Sequence, residues 1–124
     1  MDVPDSLLAG VRVLDLSSGA TDAVTRLLAD LGADVLKVEH PGGSPGRDTP
    51  PMLAAASIPF ALHNANKRST VLDPLQEADW ARLRDLAADA DIVVTDDLGG
   101  PDGLAGPSGR RAPNWPPNPR TWWC

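Results

Sequence analysis

Residues 8–39 read LAGVRVLDLSSGATDAVTRLLADLGADVLKVE, the outline of a strand, a loop, an amphipathic helix and a second strand. Val11, Val13, Leu14 and Leu16 make the first strand, apolar at most positions as a strand covered on both faces requires. Residues 15–19, DLSSG, supply turn chemistry, and Thr21 or Asp22 can cap the helix that follows. Val24, Leu27, Leu28 and Leu31 fall at i, i+3, i+4 and i+7, which predicts an inward apolar stripe with Thr25, Arg26 and Asp30 opposite. Gly32 stands where a left-handed C-cap is wanted. Val35, Leu36 and Val38 then form the second strand, closed by Glu39. A right-handed βαβ crossover is the economical reading.

Outside that unit the same alternation continues. Residues 40–51, HPGGSPGRDTPP, disfavour regular structure and predict a loop. Residues 52–63 are apolar and alanine-rich, predicting a short helix interrupted at Pro59. Thr70, Val71 and Leu72 form a third strand after Asn66, Lys67, Arg68 and Ser69. A helix over about 75–88 carries Trp80, Leu83, Leu86 and Ala87 on one face, and Ile92, Val93 and Val94 make a fourth strand. The expected fold is therefore α/β, a Rossmann-like three-layer arrangement around a mainly parallel sheet, incomplete within this chain.

Length and charge narrow the function classes. At 124 residues the chain is one domain by size. Its 17 acidic against 11 basic residues give a net charge of -6. That speaks for solubility and against a general nucleic-acid binder. The single cysteine, Cys124, excludes a disulfide framework. No apolar run predicts a membrane span, and the opening MDVPDSLLAG lacks the basic start of a secretory signal. A cytoplasmic location is the expectation.

The βαβ unit suggests a nucleotide, but dinucleotide binding needs G-x-G-x-x-G between strand and helix. Residues 17–22, SSGATD, offer one glycine and put an aspartate where pyrophosphate would sit. Glu39 alone, a carboxylate that could accept from a ribose hydroxyl, is weak support for a nicotinamide cofactor.

Three runs in order, GVRVLDLSSG with TRLLADLGADVLKVEHPGG, then NANKRSTVLD, then LAADADIVVTDDLG, resemble the N-terminal part of the class III CoA-transferases. That group includes formyl-CoA and carnitine CoA-transferases and α-methylacyl-CoA racemases. The resemblance covers about residues 7–98. It implies coenzyme A or acyl-CoA as substrate, no metal, a carboxylic acid as co-substrate, and a homodimer in the intact family. The implied contacts lie after strands two, three and four: His40, then Leu72 and Asp73, then Asp96, with Lys67 and Arg68 as the paired basic cluster. For His40 and Asp96 the alternative is an ordinary solvated loop residue. For Lys67 and Arg68 it is a structural ion pair. His63 reads as a core or interface histidine, Asp15 as a cap for the following loop, and Trp80 as core.

Two departures from the family pattern stand out. The first loop, Ala20-Thr21-Asp22, lacks the family's proline and glycine and is one residue short. The aspartate that is acylated in the transferases, and the histidine–aspartate pair of the racemases, have no counterpart in the recognisable part. The expectation is thus a truncated transferase without a catalytic residue. A racemase fragment and a non-catalytic nucleotide-binding module are the alternatives.

Residues 99–124 change character, with six prolines, five glycines and three of the four tryptophans. Because tryptophan has the single codon TGG, the neighbouring frame can be partly recovered. One base earlier, Thr121-Trp122-Trp123-Cys124 becomes a leucine, valine or methionine followed by Val-Val. Asn114-Trp115-Pro116-Pro117 becomes Glu, Gln or Lys, then Leu, Ala and a small residue or proline. A helix-like then strand-like pattern is what the family places here, so an out-of-frame tail is one reading. A genuine Pro/Trp-rich tail that binds a partner is the other.

Overall fold

Short apolar runs alternating with amphipathic ones build a parallel sheet with a helix on each face. The structure, a computed structural model, describes residues 6–17, 19, 21–73, 75–95 and 122–123. In chain order it has β1 (Arg12–Asp15), α1 (Asp22–Asp30), β2 (Asp34–Glu39), a 3-10 turn (Pro45–Asp48), β3 (Met52–Leu53), β4 (Ala56–Ser57), α2 (Ile58–His63), β5 (Arg68–Val71), α3 (Glu77–Asp89), β6 (Ile92–Val94) and β7 (Trp122–Trp123). The main sheet runs β5-β2-β1-β6-β7, and all its pairs are parallel. β3 and β4 form a separate antiparallel hairpin.

Alternation along the strands divides the core between the two faces. Val13, Val35 and Val94 pack with Ala29 of α1 and Ala33 beyond it. Leu14, Leu72 and Val93 pack beneath Leu83 and Ala87 of α3, and Trp80 and Leu86 are partly buried against this second cluster. Val13, Val35 and Val93 are fully enclosed, each contributing roughly 1.5–3 kcal/mol by leaving water. The α/β, mainly parallel architecture matches the expectation from sequence.

Three details differ from it. Val24 and Leu27 of α1 are 50% and 57% exposed, whereas Asp22 and Thr25 are buried. The helix turns this polar edge inward because the strands beneath it offer Asp15 and Lys37 as partners. Residues 52–63 are a hairpin followed by a helix; Pro59 sits in the first turn of α2, where its missing N–H costs nothing. His63 is exposed, not a core residue. Gly32 does take the left-handed conformation, at φ 102°.

A shallow depression of about 290 Å3 lies beside α3, lined by Arg12, Asp34, Leu36, Arg68, Arg82 and Leu86 among others. A second, of about 330 Å3, shares Leu36, Arg68, Arg82 and Leu86 with it. Both lie along the flank of α3 that leaves β2 and β5 uncovered.

Candidate functional site

Open parallel sheets bind ligands beyond the C-terminal ends of their strands. The connections after β1, β2 and β5 begin there. Beneath the first is a cluster of charged residues with almost no contact with solvent.

Asp15, the last residue of β1, is completely buried. Its Oδ1 accepts from the backbone N–H of Ser17 at 2.9 Å and from the Ser17 hydroxyl. Its Oδ2 accepts from Thr25 Oγ1 at 2.7 Å and from Lys67 Nζ at 2.9 Å. Burial pushes this carboxyl up. The Ser17 bonds, the Lys37 charge and the bonds from Lys67 and Thr25 outweigh that and hold it below its ordinary value. The expectation that Asp15 caps the following loop is met, inside a larger network.

Asp22 is its counterpart across the cluster. Lys37 Nζ lies 2.7 Å from its Oδ1 and also donates to the Ser17 carbonyl at 2.8 Å. Lys67 Nζ donates to the Asp22 carbonyl at 3.0 Å and to Asn64 Oδ1 at 2.8 Å. Both lysine side chains are 2% exposed. Two ammonium groups therefore face two carboxylates, and the three donors of Lys67 are all engaged. Sequence reasoning singled out Lys67 but missed Lys37, Thr25 and Asn64. The available signal was Lys37 itself, a charge alternating with Val35 on the covered side of an apolar strand.

The loop after β2 is organised by Glu39. Its Oε1 accepts from Ser44 N at 2.9 Å and Arg47 Nε at 2.7 Å, and its Oε2 from Arg47 Nη2 at 2.8 Å. The Arg47 bond, helped by Ser44 N–H and opposed by burial, lowers the Glu39 carboxyl to about 2. Arg47 stacks on Phe60, its guanidinium carbon 4.4 Å from the ring centre, and stays 48% exposed. Glu39 is thus spent on its own loop and is not free to receive a ribose. Gly42 and Gly43, at φ 92° and 90°, let the chain turn back sharply enough to bring Arg47 to Glu39.

The expected ligand contacts distribute as follows. His40 is exposed on the loop after β2. Leu72 and Asp73 follow β5, and the Glu39–Val71 register puts them beside His40. Leu72 N donates to the Glu39 carbonyl at 3.0 Å, and its side chain is buried under α3. Asp73 accepts from Leu75 N at 2.9 Å, closing the turn into α3. Arg68 stands at the opposite end of the strands, paired in two-pronged fashion with Asp34 at 2.9 and 2.8 Å. Asp96 lies outside the described residues. Among those residues no group of histidines, cysteines and carboxylates is arranged to hold a metal, and no helix is long and apolar enough to cross a membrane.

Comparison with known proteins agrees with this architecture. The family model for CoA-transferase family III matches residues 8–98, and the chain belongs to that family. It is 70% identical over 86 residues to "Probable CoA-transferase Rv1866" of Mycobacterium tuberculosis, covering 66% of this chain and 11% of that protein. It is 34% identical over 102 residues to the cinnamoyl-CoA:phenyllactate CoA-transferase of Clostridium sporogenes, covering 77% and 25%. Among solved structures, a CAIB/BAIF family protein from Brucella suis superposes with a TM-score of 0.67 at 34% identity, over 73% of this chain and 25% of that one. The protein Rv3272 of Mycobacterium tuberculosis gives 0.69 at 31% identity, over 95% and 32%. The chain thus spans a third or less of the length of each of these relatives.

Proposed function

We propose that this chain is the coenzyme A nucleotide-binding part of a family III CoA-transferase. The observation that carries the reading is the adjacency of His40 to Leu72 and Asp73 at the C-terminal ends of neighbouring strands. Backbone groups after β5, the imidazole of His40 and the outward N–H donors of Arg47 form a polar edge suited to the phosphates and adenine of the cofactor. Arg47 uses one side of its guanidinium for Glu39, and a guanidinium carries five donors in all. Asp96, in the sequence just beyond β6, would complete this edge. Lys67 and Arg68 act as frame in this reading, one under the first loop and one at the far end of β5.

The parent reaction is CoA transfer between an acyl-CoA and a free carboxylic acid. Family relatives are named for such exchanges, among them succinyl-CoA:mesaconate CoA-transferase of Haloarcula hispanica. In such a transfer an enzyme carboxylate attacks the thioester to give a mixed anhydride and CoA thiolate. The thiolate attacks the enzyme carbonyl of the anhydride, releasing the donor acid and leaving an enzyme–CoA thioester. The acceptor carboxylate attacks that thioester, and the thiolate it displaces attacks the acceptor carbonyl of the new anhydride, giving the acceptor thioester and restoring the enzyme carboxylate. No carboxylate is assigned that role in this chain, so turnover is not expected of it alone. We propose as well that residues beyond about 99–111 derive from a shifted reading frame.

Calorimetry on the chain tests the binding reading. CoA binding is expected, weakened roughly tenfold, about 1.4 kcal/mol, by His40→Ala, with NADH giving no heat. NADH binding without CoA binding would reject it.

A further inference from the structure

The connection from β2 to β5 contains a stretch that the polar edge does not use. Residues 49–62, TPPMLAAASIPFAL, carry no ionisable side chain. They form the β3–β4 hairpin and most of α2. Leu53 is 69% exposed and Leu62 55%, and Met52, Ala54, Ala55 and Ile58 are exposed as well. Leu53 stands opposite Ala56 in the hairpin, and Ile58 and Leu62 are one turn apart on α2. Hairpin and helix therefore each present an apolar stripe to the outside. At the tip, Ala54 and Ala55 are left-handed, at φ 48° and 64°. Asn-Gly would take that turn without strain and would suit water better. Contiguous apolar groups left outside in this way mark a surface with something to hold.

The position of this surface indicates what it holds. Ser57 Oγ donates to the Thr49 carbonyl at 2.5 Å, and the turn just before Thr49 is fixed through Arg47 to Glu39, the last residue of β2. The hairpin thus stands at the C-terminal end of the sheet. α2 continues against α1, with Asn64 Nδ2 3.1 Å from Asp22 Oδ2. The apolar surface accordingly lies on the α1 side of that end. Leu72, beside His40, is buried under α3 on the other side.

We propose that the β3–β4 hairpin and the start of α2 hold the acyl group of an acyl-CoA, and that this group is an uncharged aliphatic or aromatic chain. The nucleotide rests by His40 and Asp73, and the pantetheine arm crosses the end of the sheet to bring its acyl end to the hairpin. An acyl group that ends in a carboxylate is disfavoured. Residues 49–62 offer it no cation, so its loss of water is uncompensated. The proposal rests on the CoA reading and adds a substrate class to it.

The test is calorimetry on the full chain with CoA and its acetyl, butanoyl, octanoyl and succinyl esters. Full burial of a methylene strengthens binding about fourfold, so a half-open surface should give about twofold for each. Octanoyl-CoA is expected to bind wild type at least ~tenfold more tightly than acetyl-CoA, and butanoyl-CoA roughly threefold or more above succinyl-CoA. Leu53→Asp, or Leu53→Ser where the charge prevents folding, should reduce the octanoyl gain to below about threefold. That gain is read as a ratio within each protein, so a general loss of affinity cancels. Leu27→Asp, a similar change at an exposed site on α1, should keep the gain. Wild type that binds CoA without a chain-length gain, or takes succinyl-CoA as tightly as butanoyl-CoA, overturns the proposal and leaves the CoA reading standing. So does a gain that survives in the Leu53 variant or is lost equally in Leu27→Asp. Failure of both Leu53 variants to fold would make that side chain structural and also overturn it. Wild type that binds neither CoA nor any ester overturns both readings. Binding of wild type to phosphatidylcholine vesicles without a chain-length gain would assign the hairpin to a lipid surface instead.

Discussion

Glu39 illustrates how neighbours decide the meaning of a residue. At the end of an apolar strand its carboxylate matches a ribose acceptor, yet Arg47 and Ser44 occupy both its oxygens. Its folded value of about 2 lies below the ordinary 4.5. The folded state therefore binds fewer protons than the unfolded one. The stabilisation is complete above pH 4.5 and is lost as the pH falls towards 2. Because Arg47 is half exposed and screened by solvent, the pair contributes about 1–2 kcal/mol. Arg47→Ala should lower the urea midpoint at pH 7, and its gap from wild type should narrow as the pH is brought down to 3. A gap that stays constant with pH would refute the assignment. Sequence pointed to Glu39 but not to its partner, because a contact spanning eight residues of glycine-rich loop has no periodic signature. Asp22 and Thr25 were similarly hidden. Their inward direction depends on Asp15 and Lys37, brought under the helix only once the strands pair.

At the scale of elements, the strands β1, β2, β5 and β6 and the helices α1 and α3 were legible because each carries an apolar run, a hydrophobic period or a turn residue at its end. Gly32 is the sharpest such mark. A Cβ there would stand 2.2 Å from Ser6 Oγ and 2.5 Å from Ser6 Cβ, on a backbone at φ 102°. Gly32→Ala should therefore cost about 2 kcal/mol through strain and displacement of the N-terminal turn. Thermal unfolding followed by ellipticity should report a midpoint several degrees lower; an unchanged midpoint would mean the turn yields freely. The hairpin of β3 and β4 was not legible. Each of its strands is two residues long, too short for alternation to show, and left-handed Ala54 and Ala55 form its turn where glycine or asparagine would have announced one. Pro59 misled for a related reason: proline interrupts a helix interior but suits a first turn, and only the position of Ser57 as N-cap, accepting from Phe60 N at 3.2 Å, distinguishes the two.

Across the whole molecule, the sheet is the common frame for both readings of the polar edge. Trp122–Trp123 runs parallel beside β6, with Ile92 opposite Trp122. A further strand of the family pattern is expected after β6, and the neighbouring frame would supply a leucine, valine or methionine followed by Val-Val across Trp122, Trp123 and Cys124. Reading the coding DNA checks this: from a point within codons 99–111 the shifted frame should continue open with a helix-like and then a strand-like pattern. A shifted frame closed by stop codons would leave the Pro/Trp-rich tail as the genuine sequence.

The buried cluster also carries a consequence for the order in which the chain emerges during synthesis. A polypeptide made only as far as β2 holds Asp15 and Asp22 against Lys37 alone, one negative charge in excess. Balance arrives with Lys67, thirty residues later, carried in by the approach to β5. The first βαβ unit is therefore not electrically self-sufficient: its interior becomes neutral only when the third parallel strand is available to dock.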